Sequence, residues 1–150
     1  MIRINRKTDY AIRVLLALAK QGDDALLPTS QIQKEMLIPK ALGIRVVAEL
    51  AQGGFIVTYA GREGGLKLAR PAAEINLRQV VTYFEENFTV SECIHGGGTC
   101  PFDANCPVRC RWVRLQAVIL KELESTTFEA LAQEAAEAAT RPLKREQAEA

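Results

Sequence analysis

Histidine and tryptophan each occur once in these 150 residues, methionine twice, and aromatic side chains amount to only 6%. With one histidine, and with no nucleotide-binding glycine motif, flavin signature or catalytic dyad, the chain is not expected to be an enzyme. Long apolar runs are missing as well. The longest, Val14 to Ala19, is six residues, against the roughly 20 that a membrane-crossing helix needs. No apolar signal core or small-residue cleavage site follows the basic start MIRINRK. The expected compartment is therefore the cytoplasm, where thiols stay reduced.

Net charge is also scarce, at +1, but it is unevenly spread. Residues 1–70 carry 11 Lys/Arg against 6 Asp/Glu, and residues 71–150 carry 8 against 12. A basic first half suggests a polyanion-binding front and a different task behind it.

That first half reads as helices followed by a hairpin. TDYAIRVLLALAK repeats apolar side chains at Tyr10, Val14, Leu15 and Leu18, a helical spacing with Thr8 or Asn5 placed to cap and Gly22 to stop. A second helix opens at LLPTSQIQKEM with Thr29 or Ser30 as its cap. A third has Pro39 in its first turn and runs to about Gln52, where Gly53-Gly54 ends it. The last two form a helix-turn-helix candidate, with Lys40 and Arg45 on the second helix. Phe55 to Tyr59, the turn GREGG and Leu66-Lys67-Leu68 read as a β-hairpin, the wing of a winged helix, with Arg62 at its tip.

Beyond Pro71 the sequence predicts a helix over AAEINLRQVVTYFEE, a cysteine-bearing loop at 92–110, and a long helix with Val108, Trp112, Leu115, Ile119 and Leu123 recurring every three or four residues. Val113, Ala117 and Leu120 widen that stripe beyond what a one-sided surface helix needs, so the helix is expected to pack on a second subunit. Thr127 is placed to cap a last helix, FEALAQEAAEAA. The division expected is a DNA-binding region at 1–70, a helical dimerisation and metal region at 71–139, and a disordered tail at 140–150. The fold class is mainly α with a small β-hairpin.

Thiols are the resource spent in one place. All four cysteines, with the single His95 and Trp112, lie within the 21 residues ECIHGGGTCPFDANCPVRCRW. The spacing is Cys93-x6-Cys100-x5-Cys106-x3-Cys110. Structural zinc sites usually bring ligands in pairs two to four residues apart, and only the last pair here does so. The wider gaps suit a larger object, an iron–sulfur cluster wrapped by a loop. Gly96-Gly97-Gly98 would let backbone approach its sulfides, while Pro101 and Pro107 stiffen the loop. Zinc and a metal-free redox disulfide are the alternatives at this point. His95 reads as an exposed loop histidine.

TDYAIRVLLALA, the IPK-led third helix, GREGGLKLAR and a three-cysteine loop before a long helix together resemble the Rrf-type winged-helix repressors. The resemblance spans about residues 2–137. It implies a cytoplasmic homodimer binding pseudo-palindromic, double-stranded promoter DNA, with a cluster whose state sets DNA affinity in the sensing members. By position it makes Cys93, Cys100 and Cys106 the three thiolate ligands. In members of the IscR type a histidine three residues past the third cysteine completes a two-iron (2Fe-2S) cluster; Arg109 stands there. In the NsrR type, which senses nitric oxide, an aspartate in the partner subunit's first helix completes a four-iron (4Fe-4S) cluster, and Asp9 stands at the matching place. The four-iron form with Asp9 is the reading preferred, with Cys110, which the family pattern does not require, as the alternative fourth ligand. The function expected is a repressor sensing nitric oxide, oxygen or redox state, or iron–sulfur status. A winged-helix repressor with a zinc or redox-thiol site, and a small iron–sulfur redox protein, are the rivals.

For DNA, the expected readers are Lys40 and Arg45 on the recognition helix, Thr29, Ser30 and Gln31 at the preceding helix start, and Arg62 in a minor groove. Arg3, Arg6, Lys7 and Lys67 are expected on phosphates. Gly43 within the recognition helix would lower its rigidity, since glycine costs about 1 kcal/mol there relative to alanine.

Overall fold

The computed structural model describes residues 2–95 and 100–141. The Gly96-Gly97-Gly98 stretch and most of the expected tail lie outside them.

Six α-helices and a two-stranded antiparallel sheet follow one another: α1 Arg6–Gln21, α2 Thr29–Glu35, α3 Lys40–Gln52, β1 Ile56–Tyr59, β2 Gly65–Leu68, α4 Leu77–Phe84, α5 Pro107–Ser125 and α6 Phe128–Thr140. Helix α1 is apolar on more than one side. Tyr10, Ala11, Val14, Leu15, Ala17 and Leu18 are all buried, because α3, α4, α6 and β2 pack around it. Fully burying one such leucine contributes about 1.5–3 kcal/mol, which makes α1 the axis of the fold. Its cap is Asn5, whose side chain accepts from Thr8 N at 2.9 Å. Glu85 Oε1, at the end of α4, accepts from Asn5 N at 2.8 Å and from the buried Thr8 hydroxyl.

Helices α2 and α3 form the helix-turn-helix. The cap expected at Thr29 or Ser30 is instead Pro28, with no side-chain cap, so both residues lie inside the first turn of α2. Pro39 likewise caps α3 rather than entering it. Gly43 is buried against α2, where a Cβ would lie 2.6 Å from Gln33 Nε2. The space that a side chain would take is filled by the Gln33 side chain of α2. Between them Leu37 takes a φ of 53°, the one positive φ of a non-glycine among the described residues.

The wing pairs Ile56 with Leu68 through Tyr59 with Gly65. Its return strand is also fastened to the approach to α2: Leu66 N donates to Leu27 O at 2.7 Å and Leu27 N to Leu66 O at 3.0 Å. At Gly65 a Cβ would fall 2.3 Å from Leu27 O, so only glycine fits this approach.

The helix expected over 72–86 divides. Ala72–Glu74 is a 3₁₀ turn, Ile75 is extended, and α4 begins after Asn76, which forms a reciprocal capping box with Gln79. Ile75 is drawn out of the helix by the chain returning from α5: Phe128 N donates to Ile75 O at 2.9 Å and Leu77 N to Thr126 O at 3.0 Å. Thr127 caps α6 as expected, and the fully buried Phe128 joins the same core as α1. Helix α5 is different. Of its residues only Gln116 is buried, while Val108, Trp112, Val113, Leu115 and Val118 stand exposed. No helix among the described residues is long and apolar enough to cross a membrane.

Candidate DNA-reading surface and thiol site

The outward face of α3 holds Lys40, Ala41, Ile44, Arg45 and Ala48, all exposed. Ser30 and Gln31 are exposed on α2, where Gln31 Nε2 donates to Glu35 Oε1 at 2.9 Å, and Thr29 is half-buried. Arg62 is exposed at the hairpin tip. The elements that carry them, α2, α3 and the wing, are all laid against α1. The remaining basic residues divide into two kinds. Arg3 and Arg6 are exposed near the start of α1. Lys7 is held 3.1 Å from Glu49 and over the Phe84 ring, and Lys67 lies 2.9 Å from Asp24. Their hydrogen bond, then their mutual attraction, holds the Asp24 carboxyl below its ordinary value and the Lys67 ammonium above it.

The thiol segment is moored at both ends. At its start, Gln116 of α5 donates from Nε2 to Phe88 O at 2.8 Å and accepts from Val90 N at 2.9 Å. A buried primary amide thereby replaces a strand partner for the backbone leading to Cys93. Cys93 lies in the 3₁₀ turn Glu92–His95, with its sulfur 3.1 Å from Ser91 Oγ. At the other end, Arg109 sits 2.9 Å from Asp103 Oδ1 and donates to Asp103 O at 3.4 Å, bracing the 3₁₀ turn Asp103–Asn105. Cys106 then caps α5, with Pro107 in its first position.

All four cysteines are free; Cys93 and Cys106 are half-buried, Cys100 and Cys110 exposed. Cys106 and Cys110, with Arg109, Val113 and Arg114, line a cleft of about 620 Å³. Asp9 lies elsewhere, on α1, lining a separate cleft with Arg3, Ile4, Asn5 and Arg6. Its Oδ2 is 2.8 Å from Arg13 Nη2. Arg13 also donates to Met36 O at 3.1 Å, at the end of α2. Among the described residues no three His, Cys, Asp or Glu side chains converge on a metal-sized site. As chemistry, thiolates are soft ligands of the kind that hold iron–sulfur clusters, zinc or copper(I), and three of them stand on this moored segment. His95 is exposed. Arg13, Gln116 and Ile44 are the residues that sequence reasoning passed over.

Residues 4–134 match the pattern of the family described as "Rrf2: Iron-dependent Transcriptional regulator". The chain belongs to the Rrf2 family. It is similar to the HTH-type transcriptional regulator NsrR of Oceanobacillus iheyensis, 32% identical over 131 residues, covering 87% of this chain and 89% of that protein. The NsrR of Halalkalibacterium halodurans is 33% identical over 131 residues, covering 87% and 90%. Two solved structures share the fold at lower identity. CymR (YrzC), described as the global cysteine regulator of B. subtilis, gives a TM-score of 0.77 at 22% identity, covering 89% of this chain and 98% of that one. T. potens IscR gives 0.75 at 19%, covering 95% and 94%. The winged-helix architecture and the Rrf2 assignment together make this chain a transcriptional regulator, and the relatives it matches are regulators rather than enzymes.

Proposed function

We propose that this Rrf2 regulator is a homodimeric repressor of double-stranded, pseudo-palindromic promoter DNA whose affinity is set by an iron–sulfur cluster. Cys93, Cys100 and Cys106 would hold the cluster, with Asp9 of the partner subunit as the fourth ligand and a four-iron form favoured over a two-iron one. The carrying observation is that every thiol of the chain is free and reachable on one segment moored to α5, the helix that leaves its apolar face uncovered.

Asp9 suits a transferable ligand. Its present bond to Arg13 is a partly exposed i,i+4 pair, worth about 0.3–0.5 kcal/mol, so little opposes its release. Arg13 spans from Asp9 to the carbonyl that ends α2. A change at Asp9 is therefore felt one side chain away from the turn that sets α3. A cluster held here would supply iron–sulfur bonds open to attack by nitric oxide or oxygen, and a hard carboxylate ligand such as Asp9 would leave it more readily than a thiolate. Lys40, Arg45, Arg62, Ser30, Gln31 and Thr29 would read DNA, with Arg3, Arg6, Lys7 and Lys67 on phosphates.

A second reading, regulation by thiols or zinc without iron, is favoured by Cys106 and Cys110 lining one cleft. Purification without air separates the two. A brown protein with sulfide-to-iron absorption supports the cluster, and a colourless, iron-poor one after supply of ferrous ion and sulfide overturns it. Asp9→Ala should lower iron retention and shift the spectrum while Cys110→Ala leaves both unchanged; the reverse pattern makes Cys110 the fourth ligand.

A further inference from the structure

Ile44 is 57% exposed. Scattered exposed apolar side chains need no explanation, but this one is placed. On α3 the buried residues Gly43, Val46 and Leu50 define the inner side. One hundred degrees per residue then puts Ala41, Ile44, Arg45 and Ala48 on the opposite side. That outward face holds no acid, since Glu49 is turned to Lys7. It presents a branched apolar side chain framed by two alanines and flanked by Lys40 and Arg45. Such a face is ill suited to donating or accepting hydrogen bonds along its centre. It is suited to the one apolar group that a base pair offers in the major groove, the C5-methyl of thymine. Its positive flanks match the phosphate walls of that groove.

Resting on the DNA-reading function above, we infer that Ile44, with Ala41, is a specificity-determining residue that packs on thymine methyls, so the preferred half-sites are A·T-bearing at the positions under α3. The small Ala41 and Ala48 permit close approach, and Arg45 supplies a neighbouring polar contact. A second protein covering this apolar face is the competing occupant; the absence of any acid and the two flanking cations favour DNA.

The test begins by selecting bound duplexes from a random 26-base-pair library with the full-length dimer. Each thymine of the enriched half-site is then replaced singly by deoxyuridine, which removes only the methyl group. One or two replacements should weaken wild-type binding about fourfold each, the worth of one buried methyl. Ile44→Ala should bind the thymine duplex as weakly as wild type binds the uracil duplex and lose its sensitivity to the replacement. The salt dependence of its affinity should stay unchanged, because no phosphate contact is removed. Leu42→Ala, on the flank of α3, should remain methyl-sensitive. Ile44→Ala is checked by its melting curve, and Ile44→Val should retain part of the sensitivity. Uracil replacement without effect overturns the inference while DNA reading stands. Methyl sensitivity undiminished in Ile44→Ala overturns the role of this residue. Altered sedimentation of Ile44→Ala with uracil neutral assigns the face to protein contact. No enriched sequence at all overturns the DNA reading together with the inference.

Discussion

Leu37 is 80% exposed with a φ of 53°, between the two helices of the reading head. A non-glycine residue in this left-handed region carries a cost of about 1–2 kcal/mol, and an exposed side chain recovers little of it. Leu37→Gly should therefore stabilise the protein by about 1 kcal/mol and raise Tm by roughly 3 °C; a thermal melt checks this. Gln116 works in the opposite sense. Gln116→Ala leaves Phe88 O and Val90 N without their partner, at a cost of about 1–3 kcal/mol. Urea unfolding should show that loss, and Val90 amide exchange should quicken selectively. At the wing, the lowered Asp24 carboxyl helps the folded state above the ordinary carboxylate range and loses that help as pH falls through its depressed value. The raised Lys67 keeps its contribution until pH climbs through its elevated one. The pair is thus closed at neutral pH. Asp24→Asn should relieve Lys67 of a competing partner, strengthen its proposed phosphate contact and tighten DNA binding, as a titration by anisotropy would show.

Among elements, α4 depends on its start. Asn76→Ala removes the capping box and should cost about 1 kcal/mol, with the loss seen in equilibrium unfolding. The periodicity of α1, the hairpin around GREGG and the cap at Thr127 were all legible in the sequence, because each rests on neighbours within a few residues. The start of α4 was not. AAEIN has good helical residues, yet a strand-like exchange with Thr126 and Phe128 holds Ile75 extended, and tertiary pairing outweighs local preference. Thr29 and Ser30 misled for a related reason: proline at position 28 already sets the entry backbone of α2. In the thiol segment the cysteine spacing was plain to read, but its moorings were not. Gln116 reaches residues 26 and 28 positions away, and Arg13 reaches a carbonyl 23 away. No spacing rule joins such pairs. Ile44 carries no sequence signal of its own, because only the burial of Gly43 and Val46 shows which side of α3 faces outward.

For the molecule as a whole, α5 offers a row of exposed apolar side chains with Val118 at 64%. On the proposed homodimer, Val118→Glu should give a monomer in sedimentation, a Tm that no longer rises with protein concentration, and loss of tight promoter binding, since each half-site would then be held singly. The attachment of Leu66 to Leu27, made possible by Gly65, bears on how that promoter is chosen. Those two bonds tie the base of the hairpin to the approach to α2, so the wing and the helix-turn-helix are joined as one unit. On the proposed DNA reading, a duplex whose groove separation does not suit this unit would have to bend or untwist to be gripped, and the ease of that deformation would choose among sites whose touched bases are the same.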